Sequence, residues 1–179
     1  AGFLGSAVSK LLLDQKHSVT IYDNLTTSHQ ENIDPRAAFI KGDVTDQDHM
    51  AKVLPGTDAV IHMASLLSVN ESVSQPMRYA ENNILGSIHL LEAMRKTGVK
   101  KIIFSSSATV YGYPKAEDLP VTEDAPVLAY SPYGATKVAV ESFLHCYHQL
   151  HGFDVAVLRY FNPYGPDPDY DNKSLAIPN

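Results

Sequence analysis

The chain has 179 residues, of which 44% are hydrophobic and 19% are charged, and its formal net charge is −6. These fractions are typical of a folded globular protein and exclude a mainly disordered chain, because disorder requires low hydrophobicity and high charge. The acidic balance argues against a nucleic-acid partner. No apolar run reaches the roughly 18 residues that a membrane span needs, so we expect no membrane partner.

The cysteine count and the two termini indicate where the protein works and how much of it the chain contains. Cys146 is the single cysteine of the sequence, so no internal disulfide can form and a reducing, cytoplasmic location is expected. The chain opens at Ala1 without a methionine and stops at Asn179 after a segment rich in proline and aspartate. We therefore expect these residues to be an interior piece of a protein of about two domains.

Helical patterns alternate along the chain with short apolar runs rich in β-branched residues. In chain order we predict a helix over residues 3–15, strands over 18–22, 37–40 and 58–63, a long helix over 76–97, a strand over 101–104, a loop over 113–130, a helix over 132–151 and a strand over 154–159. Ser131 and Pro132 are typical of a helix start, and Gly98 and Gly152 are typical of helix ends.

This alternation predicts an α/β fold with a doubly wound, Rossmann-type parallel sheet, because nearly continuous apolar strands suit a sheet that is covered on both faces. The first helix of such a fold follows a strand, but here the chain opens in that helix. We therefore expect the sheet without its first strand.

Gly2 and Gly5 have the spacing of the last two glycines of a dinucleotide-binding motif, in which the backbone approaches a pyrophosphate at a helix N-terminus. Two glycines three residues apart are common, so an ordinary helix start is the alternative. Asp23 follows a predicted strand 18 residues after Gly5, near the roughly 20 expected for a carboxylate that binds the adenosine ribose. A solvated aspartate at a strand end is the alternative there. No Arg or Lys follows closely, which favours NAD over NADP.

A Tyr-x-x-x-Lys pattern on a helix places an ammonium one turn from a phenol, where it favours the phenolate that a general base needs. The pattern occurs twice. Intervening glycine and proline residues prevent a helix between Tyr111 and Lys115, whereas Tyr133 and Lys137 lie just inside the capped helix. Ser107 ends a serine run after a strand, where it can hydrogen-bond a substrate hydroxyl. A helix-surface pair and an ordinary strand end are the alternatives.

Longer segments match a known family in its own order: residues 1–6 (AGFLGS), 22–25 (YDNL), 42–44 (GDV), 62–64 (HMA), 81–86 (ENNILG), 104–112 (FSSSATVYG), 131–137 (SPYGATK) and 158–163 (LRYFNP). The chain resembles the extended short-chain dehydrogenase/reductase superfamily, and within it most closely the UDP-glucose 4-epimerase family. The family's first strand and first motif glycine are absent, as is most of its C-terminal substrate domain.

The resemblance implies specific roles for individual residues. The implied catalytic residues are Ser107, Tyr133 and Lys137. The implied cofactor contacts are Gly2, Phe3, Leu4, Gly5, Asp23, Asn24, Asp43, Val44, Met63, Ala64, Ser65, Asn82, Ser105, Tyr133, Lys137 and Tyr160. The implied substrate contacts are Ser107, Ala108, Thr109, Tyr133 and Asn162. Residues 1–161 are then an NAD-binding domain that is incomplete at its N-terminus, and residues 162–179 begin a truncated substrate-binding domain.

The implied activity interconverts UDP-glucose and UDP-galactose with tightly bound NAD. Tyr133, assisted by Ser107, removes the proton of the sugar 4-hydroxyl as hydride leaves C4, and the 4-keto sugar turns over before hydride returns to its other face. In this family the long helix and the Tyr133 helix commonly form a dimer interface, so a homodimer is expected. The 179-residue polypeptide by itself is expected to be inactive.

Other functions stay open beside this one. Leu67 stands where many galactose epimerases have a lysine, which leaves N-acetylated or other UDP-sugars as substrates. Related dehydratases generally have an acidic residue directly after the catalytic hydroxyl, where Ala108 and Thr109 stand here, so dehydratase chemistry is disfavoured. A non-catalytic NAD-binding regulator is a different class, but such proteins usually lack the tyrosine or the lysine.

One helix face also has spacing suited to zinc, with Glu141, His145 and His148 at consecutive turns. The chain contains eight histidines, so coincidences of this kind are common and we expect no metal. His62 lies on an apolar strand and is expected to be a core residue.

Overall fold

A computed structural model describes residues 1–165 as alternating helices and strands. The α-helices are α1 (Phe3–Asp14), α2 (Gln47–Val53), α3 (Val69–Ser74), α4 (Pro76–Tyr79), α5 (Gly86–Thr97) and α6 (Pro132–His151). The strands are β1 (Thr20–Asp23), β2 (Ala38–Lys41), β3 (Val60–His62), β4 (Lys101–Ser107) and β5 (Asp154–Tyr160). A π-helix covers Ala80–Leu85, and 3-10 helices cover Gln30–Asn32, Ala108–Tyr111 and Ala116–Asp118.

All five strands run parallel to their neighbours, which confirms the predicted α/β class. They form two sheets, one with the order β1-β2 and one with the order β3-β4-β5. Within residues 1–165, β1 and β3 therefore each have a single strand neighbour. In the larger sheet, Ser106 lies opposite Arg159 and Ser107 lies opposite Tyr160. The carboxyl ends of β4 and β5 thus finish side by side, where ligands bind in open α/β sheets.

The main core lies between the three-stranded sheet and the helices α2, α5 and α6. Its buried members are Met50, Leu54, Leu90, Leu91, Ala93, Met94, Val99, Ile102, Phe104, Val140, Leu144, Tyr147 and Phe153. Because α5 and α6 both pack into this cluster, they hold fixed positions against β4. A smaller cluster of Leu66, Tyr79 and Tyr133 lies at the start of α6.

The ends of the long helices follow from the residues predicted to cap them. Ser131 Oγ accepts a hydrogen bond from the Gly134 N–H at 3.1 Å, and Pro132 is the first residue of α6. Gly98 and Gly152 end α5 and α6 with φ values of 78° and 66°, a backbone region that disfavours side chains. The predicted bounds of α6 are confirmed.

Three predictions about local structure need correction. The helix predicted over residues 76–97 is interrupted by the π-helix between α4 and α5, which apolar spacing does not reveal. The helices α2 and α3 were not predicted, because elements of seven and six residues give a weak periodic signal. Strand β4 continues to Ser107 rather than ending at Phe104, because backbone pairing with β5 extends through the polar serines.

No helix within residues 1–165 is long and apolar enough to cross a membrane. His62 is buried on β3, as predicted, with its ring 5.6 Å from that of Phe104.

Candidate active site

A cavity of about 310 Å³ lies at the carboxyl ends of β1, β2 and β3. Seven of the predicted cofactor contacts line it: Asp23, Asn24, Asp43, Val44, Ala64, Ser65 and Asn82. Tyr22, Thr26, Thr27, Gly42, Thr45, Leu66, Arg78 and Glu81 complete the lining. Residues that are far apart in the sequence thus meet in one concave site, as expected of ligand sites in α/β folds.

Hydrogen bonds hold the polar side chains of this cavity in place. Asp23 Oδ1 accepts from the Leu25 N–H and from Ser28 Oγ, both at 2.8 Å. Partial burial raises the pKa of Asp23, and these hydrogen bonds lower it. Asn24 Nδ2 donates to Asp43 Oδ2 at 2.8 Å, which lowers the pKa of Asp43. Both carboxylates are therefore ionised at neutral pH.

The N-terminus of α1 offers space for an anionic group. Gly2 is the N-cap of α1, and Gly5 lies in its first turn beside Phe3 and Leu4. A Cβ atom added to either glycine would meet nothing within 4 Å. Within residues 1–165, open space therefore borders both glycines, and the helix N-terminus favours negative charge there. This geometry fits a dinucleotide pyrophosphate.

A second group of predicted residues meets where α6 packs against the end of β4. Lys137 Nζ donates to the carbonyl oxygen of Ser105 at 2.9 Å and lies 5.6 Å from the centre of the Tyr133 ring. Ser107 Oγ accepts from the N–H and the hydroxyl of Thr109 at 3.2 and 3.0 Å. Tyr133 and Lys137 are only 7% and 3% exposed, so their charges are poorly screened by water. The three predicted catalytic residues thus lie together.

Burial changes the acid–base properties of this centre. Burial raises the pKa of the Tyr133 phenol, and a hydrogen bond with Ser107 lowers it in part. Burial also lowers the pKa of Lys137 to about 7, against the opposing effect of Glu141. The lysine can therefore exchange a proton near neutral pH, where an exposed lysine stays protonated.

A close backbone contact aligns α6 with the segment that follows β4. A Cβ atom at Gly134 would lie 2.9 Å from the Thr109 carbonyl oxygen and 3.2 Å from Ala129 Cβ. Glycine at this position therefore lets the first turn of α6 approach the Ala108–Tyr111 helix. This approach brings Tyr133 next to Ser107.

The other predicted contacts are more scattered. Met63 follows β3 and is partly buried, and Ala108 lies beside Ser107 in the 3-10 helix. Tyr160 lines a different cavity of about 710 Å³ between α6 and β5, away from the cavity that contains Asp23. Asn162 is exposed in the segment after β5. Most of the second predicted domain, residues 166–179, lies outside the described part of the chain.

The residues of the Tyr111–Lys115 pattern and of the α6 face with zinc-like spacing make other contacts. Tyr111 accepts a hydrogen bond from Arg159 Nη1 at 2.9 Å, whereas Lys115 is exposed and pairs with Glu117 at 3.4 Å. No group of three or more metal-ligating side chains meets within residues 1–165. His148 Nδ1 bonds the Phe153 carbonyl oxygen at 2.7 Å.

Asn83, which was not predicted as a site residue, cross-links this site. Its Nδ2 donates to the Leu66 carbonyl oxygen at 3.1 Å and to Thr136 Oγ1 at 3.2 Å, while its Oδ1 accepts from the Leu66 N–H at 2.9 Å. The side chain is buried in the π-helix and joins the loop after β3 to α6 beside Lys137. The Asn82-Asn83 pair was the available signal, but a pattern does not show which asparagine points inward.

Known proteins with similar sequences belong to one family. The model of the NAD dependent epimerase/dehydratase family matches residues 1–177. The chain is 41% identical over 171 residues to a UDP-glucose 4-epimerase of Lacticaseibacillus casei, covering 94% of this chain and 51% of that protein. The chain thus spans about half the length of the curated relatives it matches.

Two solved structures of similar sequence share the fold of this chain. The UDP-glucose 4-epimerase from Brucella ovis in complex with NAD has a TM-score of 0.89 and 39% identity, with 96% of this chain and 52% of that chain covered. The UDP-N-acetylglucosamine 4-epimerase from Methanobrevibacter ruminantium in complex with UDP-N-acetylmuramic acid has a TM-score of 0.90 and 39% identity, covering 98% and 57%.

Proposed function

Because the chain belongs to the NAD dependent epimerase/dehydratase family, we propose that it is part of an NAD-dependent 4-epimerase that interconverts UDP-glucose and UDP-galactose. The observation that supports this most strongly is the buried meeting of Ser107, Tyr133 and Lys137 beside the strand ends. A binding protein has no need of a buried phenol and a buried amine at one reacting centre. The similarity to UDP-glucose 4-epimerases from Lacticaseibacillus casei and Brucella ovis supports the choice of substrate.

The residues at the strand ends fit the proposed cofactor. In our proposal, Asp23 and Asn24 bind the adenosine ribose, Asp43 and Val44 border the adenine, and the N-terminus of α1 with Gly2 and Gly5 binds the pyrophosphate. Phe3, Leu4, Met63, Ala64, Ser65, Asn82 and Ser105 are the further proposed contacts. The cavity favours NAD over NADP, since the ionised Asp23 would repel a 2′-phosphate. When bound, NAD supplies a hydride acceptor and donor for C4 of the sugar.

The side chains of the reaction centre divide the remaining tasks. Tyr133 takes the proton of the sugar 4-hydroxyl and returns it after the ketone has turned over. Ser107 hydrogen-bonds that hydroxyl and the phenol, and the Lys137 ammonium stabilises the phenolate electrostatically. Burial disfavours the phenolate, so the adjacent cation is needed for Tyr133 to act as a base near neutral pH. Ala108, Thr109 and Asn162 are the further proposed substrate contacts.

A second candidate substrate is an N-acetylated UDP-sugar. One similar structure is a UDP-N-acetylglucosamine 4-epimerase, with sequence identity to this chain equal to that of the Brucella ovis enzyme. Leu67 is 55% exposed in the loop after β3. It therefore provides an apolar surface where a lysine would provide a cation.

We also propose a homodimer in the cytoplasm. Apolar side chains are exposed on α3, α4 and α6: Val73 is 66% exposed, Met77 is 69% exposed and Phe143 is 39% exposed. In our proposal these side chains contribute to the contact between subunits. Cys146 is an exposed free thiol, which suits a reducing compartment.

The test is product analysis with the full-length protein and NAD. UDP-glucose, UDP-galactose and their N-acetyl forms are each supplied alone, and the sugars are separated and quantified. We expect interconversion of the first pair without net accumulation of NADH. Interconversion of only the N-acetyl pair would support the second candidate. Accumulation of NADH without interconversion would overturn both and indicate a dehydrogenase or a dehydratase.

A further inference from the structure

We propose that Glu141, held by Arg159, is a positioning residue of the reaction centre that keeps Lys137 charged and keeps α6 aligned with the end of β4. This inference rests on the proposed function, because it concerns the same lysine. Neither Glu141 nor Arg159 was among the predicted site residues for cofactor or substrate. Their arrangement is visible only once α6 is packed against the sheet.

The contacts of Glu141 span three elements. Its Oε1 accepts from Ser106 Oγ at 2.5 Å and from Arg159 Nε at 3.1 Å, and its Oε2 accepts from Arg159 Nη2 at 2.7 Å. The two side chains are 13% and 22% exposed, so this is a largely buried, bidentate pair. The carboxylate therefore ties α6 to both β4 and β5.

Arg159 is fixed on its other side by the segment that follows the serines. Its Nη1 donates to Tyr111 Oη at 2.9 Å and to the Glu123 carbonyl oxygen at 3.2 Å. Its guanidinium also lies 4.9 Å from the centre of the Tyr111 ring. Because four of its five N–H donors are used, Arg159 has little freedom to release Glu141.

The position of Glu141 on α6 joins this pair to Lys137. The two residues are four apart on one helix, so their side chains are neighbours on the same face. Lys137 bonds the carbonyl oxygen of Ser105, and Glu141 bonds the hydroxyl of Ser106. Successive turns of α6 therefore bind successive residues of the strand that ends at Ser107.

Among the residues that the structure describes, few charged or titratable groups face Lys137. On α6 they are Tyr133 and Glu141, and on β3 the group is His62, whose pKa is lowered by burial to about 3, so that it is neutral. Burial lowers the pKa of Lys137, and Glu141 is the group that opposes this effect. Removal of the carboxylate is therefore expected to leave the lysine neutral at pH 7.

The experiment measures the Lys137 pKa in the protein without NAD, by NMR titration of ¹³C-labelled lysine side chains, with Lys137→Met to assign the signal. We expect Glu141→Gln to lower this pKa by about one unit or more. Ser106→Ala is the control, because it removes a hydrogen bond to Glu141 and leaves the charge, and it should leave the Lys137 pKa within experimental error. A Glu141→Gln variant that folds with an unchanged Lys137 pKa would overturn the inference.

A second variant covers the case in which Glu141→Gln does not fold because Arg159 is left unpaired. Glu141→Gln/Arg159→Met removes both members of the ion pair, so neither is left unpaired, and proteins commonly tolerate such a replacement. It should lower the Lys137 pKa by less than Glu141→Gln does, because loss of the Arg159 cation partly offsets loss of the carboxylate, and an unchanged pKa in this variant would equally overturn the inference.

Kinetics give an independent readout in the protein with NAD. Glu141→Gln should lower kcat at pH 7 about tenfold with little change in KM, and lower pH should restore activity because it recharges Lys137. A uniform loss at every pH would indicate a merely structural role and contradict the inference. Absence of epimerase activity in the unaltered protein would instead overturn the proposed function, and the Lys137 titration would still decide the inference.

Discussion

The proposed cofactor cavity and the proposed reaction centre use polar side chains in opposite ways. At the cavity, Asp23 is partly exposed, and its carboxylate is held by the Leu25 N–H and the Ser28 hydroxyl, which lie two and five residues along the chain. At the reaction centre, Tyr133 and Lys137 are buried, and their pKa values are shifted by packing against distant segments. The Asp23 carboxylate is therefore positioned mainly by local turns, whereas the acid–base properties of Tyr133 and Lys137 depend on tertiary packing. Variants should therefore separate affinity from turnover.

Tyr133→Phe should give the largest effect, because it removes the proposed base and leaves its ring in the cluster with Leu66 and Tyr79. We expect kcat to fall roughly 10³-fold, while the NAD content of the purified protein stays the same. Tyr113→Phe is the matched control, since its phenol is 79% exposed and it should retain activity. Near-normal turnover by Tyr133→Phe would contradict the assignment of the base.

Asp23→Asn should show the opposite behaviour. Loss of the charged acceptor is expected to raise the Kd for NAD roughly 10- to 100-fold, with kcat nearly unchanged at saturating NAD. Isothermal titration and saturation kinetics measure the two quantities separately. Asp118→Asn, on an exposed 3-10 helix, is the control. An equal loss of kcat would mean that the two regions are not separable.

The burial of Lys137 should appear as a dependence of stability on pH without any ligand. The folded-state pKa is about 7, whereas an unfolded lysine titrates near 10.4. Between these values only the unfolded chain keeps the proton, so the free energy of unfolding should increase with pH. Relative to Lys137→Met, we expect a gain of roughly 2 kcal/mol from pH 7 to pH 9. Urea unfolding of both proteins at both pH values measures it, and parallel curves would contradict the burial of the amine.

Gly5→Ala should give the smallest effect, with opposite signs for stability and binding. A Cβ at Gly5 meets nothing within 4 Å in the part of the chain that the structure describes, so the helix should gain roughly 0.5–1 kcal/mol in the protein without NAD. The same methyl group projects into the space proposed for the pyrophosphate and should weaken NAD binding. Gly98→Ala is the contrast, because its space is equally open but its φ of 78° makes alanine unfavourable there. Unchanged NAD affinity in Gly5→Ala would show that the pyrophosphate lies elsewhere.

The sequence predicted best what depends on nearby residues. Ser131, Pro132 and Gly152 gave the bounds of α6 correctly, because caps act over one helical turn. The spacing of Tyr133 and Lys137 predicted their shared face for the same reason. Apolar runs identified all five strands, although the division into two sheets depends on pairing between distant segments.

The remaining features could be identified only from the packed structure. The inward direction of Asn83 depends on the π-helix, and the charge state of Lys137 depends on its burial where α6 packs against β4. The role proposed for Glu141 depends on its contact with Arg159, which lies 18 residues further along the chain. Its spacing on α6 with two histidines suggested zinc, but its carboxylate bonds Ser106 and Arg159.

The most direct test of the account follows the hydrogen atom at C4 of the sugar. The full-length protein with NAD is given UDP-glucose that contains deuterium at C4, and the product is analysed by NMR and mass spectrometry. We predict UDP-galactose that retains deuterium at C4, with no NADH accumulating and with turnover lost in Tyr133→Phe. Exchange of the deuterium with solvent, or a product oxidised or dehydrated at the sugar, would contradict epimerisation at C4.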